Sequence, residues 1–204
     1  LFRSEKQMID LSATLGGSTC RVLSGQRRPE VSRADGVRWV VESIQELLPY
    51  AESKGIILTM ENHFKDNYWD YPEFAQLMDI FCEIVGQIDS PWFGVNYDPS
   101  NTLLANEDPI ELLRRVAPKV VTMHASDRRP RPGVEIGTEG ITDYSQLIHG
   151  EIGTGMNDFE LMFQILRGAG FDGWVSIEDG VNGIEELKRS AMYLAKKMGI
   201  TPAV

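Results

Sequence analysis

Residues 55–63 read GIILTMENH, an apolar run that follows a glycine and ends in three polar side chains. A short, continuous apolar run between a glycine and polar residues is typical of a parallel strand that is buried on both faces. Three later runs, over residues 93–97, 120–123 and 174–177, have the same character. Each of the four strands leads directly into a residue that can bind a metal or move a proton; these are Glu61, Asp98, His124 and Glu178.

Stretches with helical periodicity alternate with the apolar runs. Helices are predicted over residues 4–15, 34–53, 71–86, 108–116, 158–166 and 183–198, and strands over residues 19–23, 56–60, 93–97, 120–123, 147–149 and 174–177. This alternation predicts an α/β fold with a parallel sheet. Residues 128–157 interrupt the pattern with prolines and glycines, and we expect a long loop there with a short helix near 143–147. No linker or low-complexity tract divides the chain, which favours a single domain over residues 1–204.

The four polar residues recur at intervals of one or two βα units of roughly 30 residues, as in a (β/α)8 barrel. The carboxyl ends of all strands in such a barrel meet at one rim. We therefore expect Glu61, Asp98, His124 and Glu178 to converge on one mouth, although a single residue of this kind at a strand end is more often a helix cap or a surface charge.

Three carboxylates and one imidazole in one place would repel each other unless a cation lay between them. The sequence therefore predicts one divalent metal ion, held by Glu61, Asp98, His124 and Glu178. Oxygen-rich ligation favours Mn²⁺ or Mg²⁺, with Zn²⁺, Co²⁺ or Fe²⁺ as alternatives.

Other polar residues lie close to these four in sequence. His63 lies on the same side of an extended chain as Glu61, so it could touch a substrate or form a hydrogen bond in the rim. Asn101 is predicted to contact the substrate together with His63 and Arg128, although it could also support a ligand or simply belong to a turn. Asp127 and Arg128 could orient His124, bind an anionic substrate group, or form an ion pair within a loop. The glycine-rich run over residues 150–155 lacks the nucleotide-binding patterns.

Composition excludes several classes of protein. The 204-residue chain has 30 acidic and 20 basic residues and a formal net charge of −10, which disfavours binding to nucleic acid or to anionic membranes. No apolar stretch is long enough to span a bilayer, and no signal peptide is visible. The two cysteines form no CxxC pair and are typical of a reducing compartment, so we expect a cytoplasmic protein. The oligomeric state stays open, a homo-oligomer included.

Five segments carry a family resemblance: residues 58–63, 95–101, 121–128, 153–159 and 170–178. Their order and spacing resemble the xylose isomerase-like TIM-barrel superfamily, which groups sugar phosphate isomerases and epimerases and also contains endonuclease IV. In its ketose 3-epimerases a Glu, an Asp, a His and a second Glu hold one divalent metal. These match Glu61, Asp98, His124 and Glu178, and the resemblance implies that the two glutamates also act as the acid/base pair.

The resemblance implies further roles and some departures. An arginine soon after the metal histidine contacts the substrate, and Arg128 is the nearest match, with Arg129 as an alternative. Asn101 stands where those epimerases commonly have a histidine. The superfamily barrel has eight strands, whereas six are predicted here and the sequence opens at Leu1. We therefore expect a chain that lacks the first two strands and keeps about six of eight βα units.

The predicted activity is that of a metal-dependent isomerase or epimerase of a sugar or sugar phosphate. One of Glu61 and Glu178 would remove a proton next to a carbonyl, and the other would return it to the resulting enediolate. A dehydratase of a keto-cyclitol or sugar could use the same site. An endonuclease IV-like phosphodiesterase is less favoured, because its multinuclear site needs more than the three histidines present. A sugar-binding barrel without turnover is the remaining alternative.

Overall fold

The structure is a computed structural model that describes residues 2–65, 68–178 and 182–201. The chain divides into two compact units, the first ending at Asn96 and the second beginning at Tyr97. The single domain predicted from the sequence stays a prediction.

The first unit alternates helices with parallel strands, as predicted. Its elements are α1 (Phe2–Thr14), β1 (Thr19–Val22), α2 (Arg33–Ser53), β2 (Ile57–Glu61), α3 (Met78–Gln87) and β3 (Phe93–Tyr97), whose last residue opens the second unit. Strands β1 and β2 pair in parallel with Thr19 opposite Ile57, and β2 pairs in parallel with β3 so that Glu61 lies opposite Asn96.

Strand β2 is the centre of this unit. Leu58 and Met60 are inaccessible to solvent, and Thr59 and Glu61 on the other face are also buried. A strand that is covered on both faces needs the continuous apolar sequence observed here. A carboxylate at its end is therefore held inside the protein.

Helix α2 closes one face of the unit. Ser32 caps its start by accepting the N–H of Asp35 at 3.1 Å. The buried side chains of α2 include Val37, Val41 and Ile44, and Pro49 lies within the helix, which continues to Ser53. The predicted helix over residues 34–53 is thus confirmed to within one residue.

The helix predicted over residues 71–86 begins later than expected. Residues Phe74–Gln76 form a separate 3-10 turn, Leu77 is extended, and α3 starts at Met78. The cause lies in tertiary hydrogen bonds: the N–H of Glu73 bonds to the carbonyl of Phe64, and that of Phe74 bonds to the carbonyl of Gly25. These bonds accompany an extended backbone at Glu73 (φ −61°, ψ 145°), and a helix cannot run through extended residues such as Glu73 and Leu77.

The second unit contains the remaining elements. They are α4 (Pro99–Leu104), α5 (Pro109–Val116), β4 (Val120–Ala125), β5 (Arg128–Pro130), β6 (Leu147–His149), α6 (Phe159–Gly168), β7 (Trp174–Ile177) and α7 (Ile184–Met198). Strands β4 and β7 pair in parallel, with His124 opposite Ser176. Helix α5 starts where predicted, with Asp108 capping it and Pro109 at its first position.

One prediction for this unit was wrong, and one helix was missed. Residues 147–149 were counted as a parallel strand, but β6 pairs antiparallel with β5, with His149 opposite Arg128. The return of the chain through the 131–146 loop reverses its direction, so β5 and β6 form a two-stranded hairpin. The short helix α4 was not foreseen, because Pro99–Leu104 offers too little sequence for a periodic pattern.

None of the helices in the described ranges combines the length and the apolar character that crossing a membrane would require.

Candidate metal centre

Three of the predicted ligands lie together in the second unit, at the ends of its parallel strands. Asp98 follows β3 directly, His124 is the penultimate residue of β4, and Glu178 follows β7. The backbone pairing of β4 with β7 extends as far as Glu178, whose N–H donates to the carbonyl of Ala125 at 3.2 Å. Strand register therefore fixes the height of Glu178 beside His124.

The side chains of these three residues offer ligand atoms within 4.8 Å of one another. Nδ1 of His124 lies 2.9 Å from Oε2 of Glu178. Atoms that share one divalent ion lie about 2.0–2.6 Å from it, and hence up to about 5 Å apart. Two carboxylates and one imidazole at this spacing fit a divalent cation in both distance and chemistry.

The three residues Asp98, His124 and Glu178, here called the metal trio, differ in burial. Asp98 is 2% exposed, whereas the side chains of His124 and Glu178 are 20% and 43% exposed. The site therefore has one rigid, enclosed carboxylate and one accessible carboxylate. An accessible carboxylate can meet a small molecule that arrives from solvent.

Three hydrogen bonds to its Oδ1 hold Asp98 in place. The N–H groups of Ser100 and Asn101 donate to this oxygen at 2.8 and 3.1 Å, and the Ser126 hydroxyl donates at 2.6 Å. The first two bonds make Asp98 the N-cap of α4. The helix cap weighed as an alternative at the sequence level is thus present together with the metal-ligand geometry.

A glycine-rich loop over residues 150–157 is anchored by Asp127, three residues after His124. The Asp127 carboxylate is inaccessible to solvent and accepts the N–H groups of Gly153 and Gly155, both at 2.8 Å, and that of Asn157 at 3.3 Å. Asp127 was expected to orient His124, bind an anion or form an ion pair. Its carboxylate fixes the loop, and the three glycines within residues 150–155 were the available signal in the sequence.

Glu61 belongs to the first unit, where it is the last residue of β2 and is fully buried. A guanidinium nitrogen of Arg21, on the neighbouring strand β1, donates a hydrogen bond to Oε2 of Glu61. Sequence reasoning missed Arg21, because nothing local in residues 19–23 relates it to residue 61.

His63 is held by a buried carboxylate that the sequence did not single out. Its Nδ1 lies 2.9 Å from Oε2 of Glu73, and Oε1 of Glu73 accepts the N–H and the hydroxyl of Ser24 at 2.6 and 2.8 Å. Burial works to lower the pKa of His63, but the hydrogen bond and charge of Glu73 outweigh it and leave the pKa raised. Glu73 is fully buried and bridges three segments of the unit.

The other two predicted substrate contacts lie in the second unit. Asn101 is in the first turn of α4 and is largely buried, and Arg128 opens β5 and is half-buried. Their proposed contact with a substrate, like that of His63, stays a prediction.

A family model described as xylose isomerase-like TIM barrel matches residues 2–197. The chain belongs to this family. The resemblance found in the sequence and the TIM-barrel fold class that it implied are thereby confirmed.

Several relatives of this xylose isomerase-like chain have names or solved structures. An inosose dehydratase from Bacillus thuringiensis (strain Al Hakam) is 22% identical over 170 residues, which cover 79% of this chain and 54% of that protein. A D-tagatose 3-epimerase-like protein has a TM-score of 0.73 at 21% identity, over 95% of this chain and 67% of the other. The IOLI protein, solved with a binding zinc atom, has a TM-score of 0.74 at 17% identity, over 100% of this chain and 70% of the other. The chain spans about half the length of the curated relatives it matches.

Proposed function

We propose that this chain carries the catalytic centre of a metal-dependent isomerase or epimerase that acts on a sugar or sugar phosphate. The observation that carries the proposal is the trio of Asp98, His124 and Glu178, whose ligand atoms lie within 4.8 Å of one another. A chain of this family with these donors at its strand ends has the groups that metal-assisted proton transfer next to a carbonyl requires.

Glu61 is proposed as the fourth ligand. It lies opposite Asn96 in the pairing of β2 with β3, and Asp98 follows Asn96 by two residues along the same strand direction. Neighbouring parallel strands present their carboxyl ends at the same edge, which favours a shared ion for Glu61 and Asp98. Its full burial next to Arg21 also suits a fixed ligand more than a mobile surface charge.

The proposed metal is Mn²⁺ or Mg²⁺, because three of the four donors are carboxylates, with Zn²⁺, Co²⁺ and Fe²⁺ as the alternatives to test. A divalent cation, when bound, supplies positive charge beside the substrate carbonyl and stabilises the enediolate that forms there.

Glu61 and Glu178 are the proposed acid/base pair. One carboxylate takes the proton from the carbon next to the carbonyl, and the other donates a proton back. Return to the opposite face of the same carbon gives an epimer, and return to the neighbouring carbon gives an isomer. We propose that His63, Asn101 and Arg128 contact the substrate, which fits their polar side chains and the hydrogen bond that orients His63.

A dehydratase is the second candidate, because curated relatives that match 79% of this chain are inosose dehydratases. The same enediolate would then expel a hydroxyl from the adjacent carbon as water, with a carboxylic acid of the pair donating the proton to that hydroxyl.

The proposed partner is a small sugar, with no nucleic acid and no membrane, in line with a net charge of −10. A cytoplasmic location is proposed on the cysteine content, since no disulfide joins Cys20 and Cys82 in the structure. A homo-oligomer stays a prediction.

The test is deuterium exchange in D₂O, followed by proton NMR. The chain, loaded in turn with Mn²⁺, Mg²⁺ and Zn²⁺, is incubated with a panel of ketoses, ketose phosphates and inososes. Loss of the proton signal next to the carbonyl reports the step that epimerase, isomerase and dehydratase share, and the product distinguishes the three.

Glu178→Gln should abolish exchange, because an amide cannot take the proton. The matched control is Glu111→Gln, on the exposed face of α5, which should leave exchange unchanged. Exchange at the wild-type rate in Glu178→Gln would remove Glu178 from the acid/base pair. Metal binding without exchange on any compound would favour a sugar-binding protein instead.

A further inference from the structure

Asn157 links the glycine-rich loop to the enclosed carboxylate of the metal trio. Its side chain is 8% exposed, and its Nδ2 donates to the Ser126 carbonyl at 3.0 Å and to the Ser100 hydroxyl at 3.1 Å. Within the described residues, the buried Oδ1 of Asn157 accepts no hydrogen bond. The amide is therefore held by the two donations from its nitrogen.

Both serines act on the same oxygen of Asp98. The Ser126 hydroxyl donates to Oδ1 at 2.6 Å, and the backbone N–H of Ser100 donates to it at 2.8 Å. Asn157 thus holds the backbone carbonyl of Ser126 and the hydroxyl of Ser100, while the hydroxyl of the first serine and the backbone N–H of the second donate to Asp98.

Asn157 is itself placed by the buried carboxylate of Asp127. That carboxylate accepts the N–H of Asn157 and of two loop glycines. The fit is tight, because a Cβ on Gly155 would lie 2.1 Å from Oδ1 of Asp127 and 2.5 Å from the carbonyl oxygen of Arg128. The loop therefore has little freedom to move Asn157 away from the serines.

We propose that Asn157 is a positioning residue for Asp98, which sets the orientation of that carboxylate toward the ion chiefly through Ser126. The inference rests on the proposed function, because it concerns the metal site. Residues that orient a ligand from behind commonly change metal affinity by about 10–100-fold when they are removed.

The test measures binding of Mn²⁺ alone by titration calorimetry, with the full chain and no substrate. Asn157→Ala should weaken Mn²⁺ binding by about tenfold or more, and Ser126→Ala should do the same because it deletes the donor to Asp98. The matched control is Thr154→Ala in the same loop, whose hydroxyl bonds to the Glu151 carbonyl. It should bind Mn²⁺ with wild-type affinity.

The double variant Asn157→Ala with Ser126→Ala separates positioning from general support of the fold. If Asn157 acts through Ser126, the double variant should bind only slightly more weakly than the worse single variant. Independent effects would multiply, and that result would overturn the proposal.

Unfolding is followed for each variant in EDTA, so that lost affinity is read only from folded protein. Asn157→Ser, a smaller polar change, replaces Asn157→Ala if the latter does not fold. A folded Asn157 variant that binds Mn²⁺ within about twofold of wild type, the scatter expected of unrelated sites, overturns the inference alone. A wild-type chain that binds no divalent metal overturns the proposed function as well, so the two failures are distinguishable.

Discussion

At the scale of single residues, the chain assigns its buried carboxylates to different tasks. Asp98 caps a helix and belongs to the metal trio, Asp127 binds backbone N–H groups of a loop, and Glu73 holds His63 and Ser24. The sequence pointed to Asp98 because it follows a strand. It did not reveal the tasks of Glu73 and Asp127, since their partners are ten or more residues away and are brought to them only by folding.

Glu73→Gln should lower the pKa of His63, because burial would then act against the charged imidazole without the hydrogen bond and charge of Glu73. Proton NMR titration in EDTA can follow this group among the three histidines of the chain. The control is Glu46→Gln, on the exposed side of α2, which should leave the titration unchanged.

Glu73→Gln should also change how the free energy of unfolding depends on pH. The folded-state pKa of His63 is raised above its ordinary value of 6.5, so its stabilising effect is complete below that value and is lost as pH rises through the folded-state pKa. Urea unfolding should therefore show wild type losing part of its stability on going from about pH 5.5 to about pH 8. Glu73→Gln should lose less over this interval, and an equal loss would contradict the assigned role of Glu73.

At the scale of elements, the strands were predicted better than their surroundings. Residues 93–97 form β3 as predicted, and α5 begins at the Asp108 cap, because apolar runs and capping residues act locally. The predicted helix start at residue 71 was wrong because contacts with Gly25 and Phe64 accompany an extended backbone at Glu73, and Leu77 is extended as well. The strand positions of the candidate ligands were nearly right, although Glu61 and His124 lie inside their strands instead of after them.

Two helical glycines in the first unit should respond to alanine in opposite directions. A Cβ on Gly36 in α2 would lie 2.3 Å from the ring of Phe74, whereas a Cβ on Gly86 in α3 would meet nothing within 4 Å. Gly36→Ala should therefore destabilise the protein by about 1–3 kcal/mol through overpacking. Gly86→Ala should stabilise it by up to about 1 kcal/mol through helix propensity.

Urea unfolding of both glycine variants checks this pair. Equal gains in the two variants would mean that the ring of Phe74 yields without cost, and would contradict the tight packing of α2 on the 3-10 turn.

At the scale of the whole molecule, charge is the dominant property. At a formal net charge of −10, repulsion between like charges destabilises the folded state, and a site made of carboxylates adds to that repulsion. The composition alone predicted this excess of negative charge, and it also disfavoured nucleic acid as a partner. The particular sugar is not encoded at this scale, because specificity lies in contacts that a substrate would make with a few side chains.

Monovalent salt should raise the urea midpoint modestly by screening, and Mn²⁺ at equal ionic strength should raise it further by binding the folded state. His124→Ala should lose only the additional effect of Mn²⁺, because it removes a ligand while leaving the net charge almost unchanged. If Mn²⁺ and NaCl had equal effects on wild type at matched ionic strength, the metal would act as a general counterion.

The shared use of Asp98 has a consequence for the helix that it caps. The oxygen that receives the amide protons of Ser100 and Asn101 belongs to the same carboxylate that would give electron density to an ion. A cation that draws on this carboxylate weakens it as an acceptor, so fraying of α4 and ion occupancy become thermodynamically linked. Hydrogen–deuterium exchange at these two amides would then act as a built-in reporter of whether the centre is filled.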